Sequence, residues 1–500
     1  MSEILFKVYN DRVEVVNPPT LLANGLHEYL SYPSQIAILR AQNIELPDDD
    51  INPGWDGIHR LYHRNKRDPD WFPTGLLDLA WWVSGQLGLC SYIRIQDMRE
   101  KPLGDVPPLI DIPLRDYQQE AVNVAVAEGR GVLDMPPRSG KTRTMVEIAR
   151  RLAVPMVWLA PTHRIAAQTV GVIDQWFGPN YGHHLVGATC WGDYQSSRLV
   201  VCTAATAKEL PQEFYQTREA LIVDEFHHAA ADSYNEIFGR CPHVYYRLGM
   251  TGTFFRSGAD DLALYAKLSR TLFKIKSDEL MRRGYLVPVH VAFLPSQFQS
   301  LSGIRGGWTG GYGKHGIHEH ENRNLLVSYT ANFLLQTGRT VLILVGTKKQ
   351  GKMILEMLSG LSPAREPNTS LNPIEFISTD MKRDRQKEVL DSFEERGAVK
   401  VLIGTTILGE GVDMPSADAL VLARGEKAEV SLVQAMYRIC TAHPGKTNAI
   451  LVDFADRHHH KLLDHSASRL RIYGKDPIFD VSVMNDAQEF PQWLSQRQAG

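Results

Sequence analysis

Cysteine is scarce and unpatterned. Five residues, Cys90, Cys190, Cys202, Cys241 and Cys440, are scattered over 500 positions with no CxxC pair and no metal-ligand spacing. A disulfide scaffold and a zinc ribbon are thereby excluded, and reduced structural thiols in a cytoplasmic compartment are expected. Long apolar runs are also missing: none approaches the roughly 18 residues that span a bilayer, and the opening MSEILFKVYNDR lacks the charged-then-apolar order of a signal peptide. No membrane attachment is expected. Nor is there an excess of charge of one sign. The 54 Lys and Arg stand against 57 Asp and Glu, a formal charge of −3, so an anionic polymer could be held only in a local cleft.

What is present is the composition of an ordinary globular protein, 43% hydrophobic and 22% charged, at a length that suggests two to four domains. Residues 1–100 are short apolar stretches broken by turn signals such as Asn17-Pro18-Pro19 and Asn52-Pro53-Gly54, the texture of a small α+β module. Residues 101–111 are proline-rich and read as a linker. From 112 the chain alternates short β-branched runs (Met156–Ala160, Leu199–Cys202, Leu221–Val223) with helical patterns, which predicts βαβ units on a parallel sheet over 112–295. A second such series (Val341–Val345, Glu375–Ser378, Val399–Ile403, Ala419–Leu422, Ala449–Val452) predicts another α/β domain over 325–475, followed by a tail at 476–500. Between the two series, 296–324 is a glycine-rich insertion or linker. It reads as a flexible surface segment, with a loop over a bound polymer as the alternative.

The strand Val132–Met135 runs into Pro136-Pro137-Arg138-Ser139-Gly140-Lys141-Thr142 and then a helical pattern. Strand, tight loop ending in GKT and helix make an anion site. Backbone N–H groups of Arg138–Thr142 and the helix N-terminus face phosphates, with Pro137 opening the loop; Lys141 adds a point charge, and the Thr142 hydroxyl suits Mg²⁺. Met135 stands where the full GxxxxGK[ST] pattern has glycine. About 80 residues on, Leu221–Val223 ends in Asp224-Glu225. Carboxylates at a strand's C-terminal end lie where open α/β sheets bind ligands, with Asp224 suited to the metal and Glu225 to orienting and deprotonating a water.

Together these motifs resemble the DExH type of superfamily 2 helicases and translocases, in that family's order over 112–455, which implies tandem RecA-like domains. By that resemblance Leu114-Arg115-Asp116-Tyr117-Gln118 is similar to the adenine-recognising Q motif, with Arg115 beside the base reader Gln118. Pro161-Thr162-His163-Arg164 is similar to motif Ia and Cys202-Thr203-Ala204 to motif Ib; Pro161, Thr162, Arg164 and Thr203 would then touch a nucleic-acid backbone. Thr251-Gly252-Thr253 stands in for motif III, and Arg256 follows as in XPB-like and restriction-translocase branches. Thr405-Thr406 with Gly409-Glu410-Gly411-Val412-Asp413 resembles motif V, placing Thr405 on nucleic acid and Gly411 and Asp413 toward the nucleotide. Gln434-Ala435-Met436-Tyr437-Arg438-Ile439-Cys440-Thr441 resembles motif VI, QxxGRxxR. Gln434 and Arg438 match, whereas Tyr437 replaces a glycine and Thr441 the last arginine, leaving Arg438 as the expected finger on the γ-phosphate. The family implies that ATP binds between the two RecA-like domains.

In the N-terminal module, Gly54-Trp55-Asp56-Gly57 through Arg60, Arg64 and Lys66 mixes aromatic and basic residues. That mixture suits phosphate contacts with stacking, through Trp55, Arg60, Arg64 and Lys66; the alternative is a β-hairpin with a solvated turn. The WDG segment and a following GLL ahead of the Q motif are similar to phage UvsW-type branch-migration helicases. Trp81-Trp82 reads as core, and His458-His459-His460 with His465 as an exposed helix face rather than a metal site. The resemblance implies an ATP- and Mg²⁺-dependent DNA helicase or translocase on forks, D-loops and Holliday junctions, with recombination or single-strand-binding proteins as partners. The alternatives are an RNA or RNA–DNA hybrid substrate, and a nucleotide-gated binder with little hydrolysis.

Overall fold

The computed structural model describes residues 3–34, 56–105, 112–177, 182–187, 192–226, 232–252, 261–296, 298–301, 303–304, 306–361, 371–405, 414–427 and 429–497. The chain divides into two compact units, the first of Met1–Pro136 and Gly140–Ile275 and the second of Pro137–Ser139 and Lys276–Gly500.

The first unit opens with a mixed sheet. Strands β1 (Ile4–Val8), β2 (Arg12–Val16), β5 (Asp70–Pro73) and β6 (Ile93–Asp97) lie in the order β5-β2-β1-β6, and a separate ribbon pairs β3 (Ser31–Pro33) with β4 (Ile58–Arg60). Strict alternation in β1, with Ile4, Phe6 and Val8 buried, puts one face of the sheet on a core with Leu22 and Leu26 of helix α1 (Thr20–Tyr29) and Ala80 and Val83 of α2 (Leu77–Gln86). This module is docked on the rest of its unit. Asn10 Nδ2 donates to the His243 carbonyl at 2.7 Å, Arg130 donates to the Asn10 carbonyl, and Leu262, Tyr265 and Ala266 pack on the module's core.

The rest of the unit is an all-parallel sheet built from β7 (Arg130–Asp134), β8 (Met156–Ala160), β9 (His183–Leu185), β10 (Leu199–Thr203), β11 (Ala220–Val223), β12 (Tyr246–Thr251) and β13 (Thr271–Lys274), in the order β13-β7-β12-β11-β8-β10-β9. The central strands are buried at every position, as helices on both faces require. The helices that bear on function are α3 (Asp116–Glu128), α4 (Lys141–Leu152), α5 (His163–Phe177) and α6 (Ala204–Glu209).

The second unit repeats the plan. Strands β14 (Val289–Ser296), β15 (Val341–Leu344), β16 (Ile374–Ile377), β17 (Val401–Gly404), β18 (Ala419–Leu422), β19 (Ala449–Asp456) and β20 (Phe479–Val483) lie in the order β16-β17-β15-β18-β19-β14-β20, again all parallel. Its helices include α7 (Ser277–Arg282), α8 (Glu321–Gln336), α9 (Glu429–Tyr437), α10 (His460–Tyr473) and α11 (Phe490–Gln496). Two parallel-sheet α/β units behind an α+β module are the fold class expected from the motif order.

Five sequence expectations need correction. Val289–Ser296 belongs to the second sheet, between β19 and β20, so the first α/β domain ends before 295. Within the tail expected at 476–500, the described residues 476–497 are folded: β20 closes a sheet edge, and Phe490 and Leu494 of α11 are buried in the core. The glycine-rich segment is packed rather than loose, with Tyr312, Ile317 and Leu462 forming a small core against Trp308. Glycine is needed there for close approach, since a Cβ at Gly316 would come within 2.6 Å of the Leu462 side chain. Of the four histidines expected on an exposed helix face, only His460 is exposed. His458, His459 and His465 are buried, Tyr312 stacks on His459 and Trp308 tilts over His465. Trp81 and Trp82 are 40% and 48% exposed, because Ala80 and Val83, not the tryptophans, turn α2 toward the core.

Candidate nucleotide and nucleic-acid site

In the order of the first parallel sheet, five neighbouring strands deliver motif residues at their C-terminal ends: the GKT loop after β7, Thr251 ending β12, Asp224-Glu225 after β11, Pro161-Thr162 after β8 and Thr203 ending β10. A parallel sheet has all these ends on one edge, which is why residues spread over 136–251 collect there.

The loop is braced from both sides. Met135 N donates to the Thr251 carbonyl at 2.9 Å, tying the loop's start to the motif III strand. Gln118 Oε1 accepts from Arg115 N at 2.9 Å at the start of α3, and Gln118 Nε2 reaches the Gly140 carbonyl at 3.4 Å. With Gln118 only 2% exposed, its amide is packed on the loop. Gly140 is required here: its φ is 77°, and a Cβ would stand 2.2 Å from Gln118 Nε2. Arg138 also holds a left-handed φ of 67°, a strain of about 1–2 kcal/mol for a residue with a side chain. Turns of this kind aim successive N–H groups at an anion. Ser139 is buried, whereas Pro137, Lys141 and Thr142 are half-buried at the start of α4.

Asp224 N donates to the Leu159 carbonyl at 2.9 Å, and Asp224 Oδ1 accepts from Glu225 N at 2.9 Å. Glu225 takes a φ of 46°, so with Arg138 it is a second non-glycine residue of this edge in the left-handed region. Its Oε1 lies 3.4 Å from Lys141 Nζ. Burial, together with the adjacent Glu225 carboxylate, pushes Asp224 up to about 7, with Lys141 offsetting part of the rise. A buried carboxylate after β11 and the Thr142 hydroxyl at the start of α4, both at the C-terminal edge of the sheet, are hard-oxygen donors of the kind that suits Mg²⁺.

The candidate backbone contacts lie on the neighbouring strands. Thr162 caps α5, its Oγ1 accepting from Ile165 N at 3.3 Å, and Thr203 caps α6, its Oγ1 accepting from Thr206 N at 3.2 Å. Ala160 and Thr203 pair in register, so the two helix starts emerge side by side with Thr162 and Arg164 exposed. Adjacent helix N-termini favour phosphate.

In the N-terminal module Arg60 is engaged by Asp56 through two bonds, one of them 2.9 Å, and holds that carboxyl at about 2. Arg64 donates to Asn24 Oδ1 at 2.8 Å, and Lys66 is exposed. Trp55, Gly411 and Asp413 lie outside the described residues, as do Thr253, Arg256, Thr406 and the side chain of Gln434.

In the second unit Thr405 follows β17, and Arg438 follows Tyr437 at the end of α9, only 2% exposed. Sequence reading missed what steadies the strand ends there. Arg323 bonds Asp456 (2.7 Å) and the Ala423 carbonyl (2.6 Å), and Arg469 bonds Asp453 (2.7 Å) and the Gly425 carbonyl (2.7 Å), all in the interior. The available signal was a lone arginine recurring within otherwise core-facing helical positions. Among the described residues no group of His, Cys, Asp or Glu is arranged to hold a metal by itself, and no helix is long and apolar enough to cross a membrane.

Residues 111–256 match the family model for the type III restriction enzyme res subunit, and residues 323–442 that for the helicase conserved C-terminal domain. The chain is 24% identical over 372 residues to the DNA 3'-5' translocase XPB2 of Sulfurisphaera tokodaii, covering 69% of this chain and 82% of that protein. It is 20% identical over 390 residues to the ATP-dependent DNA helicase uvsW of Enterobacteria phage T4, covering 72% and 75%. The solved structure of the ATP-dependent Type ISP restriction-modification enzyme LlaBIII bound to DNA shares the fold at a TM-score of 0.55 and 16% identity, over 78% of this chain and 32% of that one. One match spans the GKT loop and the acidic pair and the other spans Arg438, and with relatives of these two branches the chain belongs to the superfamily 2 helicases, an ATP-dependent enzyme resembling XPB and UvsW.

Proposed function

We propose that this helicase is a DNA translocase that remodels branched DNA, such as forks, D-loops and Holliday junctions, in recombination or repair. The observation that carries the reading is the run of neighbouring strand ends bearing, in turn, the GKT loop, Thr251, Asp224-Glu225, Thr162 and Thr203. Nucleotide chemistry and polymer grip share one sheet edge, so a shift at the first is carried to the second through packed strands.

In this reading Arg138, Ser139 and Gly140 cradle the phosphates through their backbone N–H groups, Pro137 shapes the entry to the loop, and Lys141 neutralises the β and γ groups. Gln118 and Arg115 brace the base side, and Gly411 and Asp413 complete the pocket from motif V. Thr142 and Asp224 would hold Mg²⁺, which supplies charge neutralisation on the leaving phosphate oxygens. Glu225 orients the attacking water and accepts its proton. Arg438 with Gln434 stabilises the charge that develops on the transferred phosphoryl group. Pro161, Thr162, Arg164, Thr203 and Thr405 grip the DNA backbone, which positions the strand without reading sequence. Residues 1–100, through Trp55, Arg60, Arg64 and Lys66, add a second grip that favours a junction over a plain duplex, and recombination or single-strand-binding proteins supply the setting.

A fluorescently labelled four-way junction tests this. The intact protein with ATP is expected to convert the junction to duplex arms, and an Arg64→Ala, Lys66→Ala variant to do so more slowly while keeping its activity on linear DNA. Equal loss on both substrates would remove the junction-specific role of the N-terminal module.

A further inference from the structure

Motif VI of this chain departs from its family at Tyr437 and Thr441, and the structure shows what the first departure builds. The Tyr437 hydroxyl lies 2.5 Å from Ser277 Oγ and within hydrogen-bond reach of Asp476 Oδ2, while Ser277 Oγ lies 2.8 Å from the same carboxylate oxygen. The three groups form a largely buried triangle in which two hydroxyl protons serve three short contacts, so each hydroxyl donates either to the carboxylate or to the other hydroxyl. The Tyr437 ring meets Phe479 edge-on at 5.8 Å, and Asp476 Oδ1 accepts from Ile478 N at 3.1 Å, so the triangle is anchored to the start of β20. A glycine at 437 would supply neither the hydroxyl nor the aromatic face.

Ser277 opens α7, two residues after the first unit ends at Ile275. The same segment is also joined to motif VI by its backbone. Val287 N donates to the Cys440 carbonyl at 2.8 Å, Ala442 N to the Tyr285 carbonyl at 3.3 Å, and Leu286 bridges Thr441. Residues 276–287 and 437–442 therefore form one packed piece, with Arg438 adjacent to its tightest point. Thr441, in place of the family's last arginine, sits inside that piece with its Oγ1 buried and without a hydrogen-bond partner among the described residues.

We propose that Tyr437 is a positioning residue for Arg438: through Ser277 and Asp476 it locks the single motif VI arginine to the segment by which the chain enters the second unit. The inference rests on the reading of Arg438 as the phosphate finger. A lone finger has no second arginine to share its alignment, and misplacement by about 1 Å can lower a rate by about a hundredfold. The hydroxyl supplies that alignment, and it ties the arginine to the connecting segment rather than to α9 alone.

The test uses full-length Tyr437→Phe, Ser277→Ala and the double variant, with DNA-stimulated ATP turnover, nucleotide binding and thermal unfolding measured on each. Tyr437→Phe keeps the ring on Phe479 and leaves the Ser277 to Asp476 bond in place. The expected result is a fall in kcat of about tenfold with KM for ATP unchanged, a thermal midpoint close to that of the parent, and a double variant no slower than the slower single one. Arg438→Ala is run beside them. If Arg438→Ala abolishes turnover while Tyr437→Phe leaves kcat unchanged, or lowers it only in step with lost folded protein, the positioning role is overturned and the finger reading stands. If Arg438→Ala keeps full turnover, the finger reading itself fails and the proposal goes with it.

Discussion

Lys141 Nζ and Glu225 Oε1 are 3.4 Å apart across the C-terminal edge of the first parallel sheet, with side chains 13% and 20% exposed. The two side chains thus balance each other's charge. In the proposed mechanism a γ-phosphate would compete for the same ammonium and release Glu225 to bind water. Lys141→Ala is expected to weaken nucleotide binding and to abolish hydrolysis. Glu225→Gln is expected to bind nucleotide as well as the parent while turning over about 10²–10³-fold more slowly, since only the proton acceptor is removed. Fluorescent-nucleotide titration beside steady-state turnover checks both, and a Glu225→Gln protein that no longer binds nucleotide would show the carboxylate to be structural.

The N-terminal module is held to its unit at Gly75. A Cβ there would lie 2.1 Å from the Tyr265 carbonyl oxygen and 2.7 Å from that of Ala266, and backbone cannot yield as a side chain end would. Gly75→Ala is expected to destabilise the docked module by about 2 kcal/mol or more, an overpacking effect. Faster proteolysis of the module, with the GKT-containing sheet still folded, is the signature to look for.

Inside the second unit, Arg323 and Asp456 are essentially without solvent exposure and share two hydrogen bonds of 2.7 and 3.2 Å. Removing one member leaves the other charged and buried. Asp456→Ala should lower stability by about 3–5 kcal/mol in chemical denaturation. A loss below about 1 kcal/mol would mean that the pair is not held as described.

The packed histidines make the second unit sensitive to acid. Burial, with Arg323 beside it, holds His318 down at about 4; burial is the leading cause of the lowering at His320, His459 and His465, where neighbouring cations or histidines add to it. Glu319 opposes the effect at His318, and Asp456 and Asp464 oppose it at His320 and His465. With folded values below the ordinary 6.5, the unfolded chain binds more protons between about 4 and 6.5. Stability is therefore intact above pH 6.5 and is lost as pH falls below it. For His318 alone the loss by pH 5 is about 2 kcal/mol. Thermal unfolding at pH 7.5, 6 and 5 reads this, and His318→Phe should flatten the slope.

How much of this was legible in the sequence differs by kind of residue. The central strands are short β-branched runs, and Gly140-Lys141-Thr142 and Asp224-Glu225 sit at the ends of two of them, so this edge of the sheet is legible in the sequence. The last two strands at one end of the second sheet were harder. Val289–Ser296 carries a histidine and a proline and follows a connecting segment, and Phe479–Val483 alternates with polar residues, so neither reads as a buried parallel strand. The histidine and glycine positions misled for a different reason. Gly316 and His458 look like solvent-facing residues one at a time, yet His458 Nε2 meets the Gly316 carbonyl at 2.9 Å across 142 positions, a tertiary contact that no local pattern encodes. Tyr437 was visible as a departure from its motif, but its partners Ser277 and Asp476 lie 160 and 39 residues away.

The central claim, a DNA motor suited to branched substrates, is tested most directly by steady-state ATP turnover without polymer and with single-stranded DNA, linear duplex, a four-way DNA junction and single-stranded RNA, at one stated salt concentration because backbone binding is salt-dependent. The account predicts the strongest stimulation by the junction, lost in both Lys141→Ala and Glu225→Gln. Stimulation by RNA alone, or no turnover with any polymer, would contradict it.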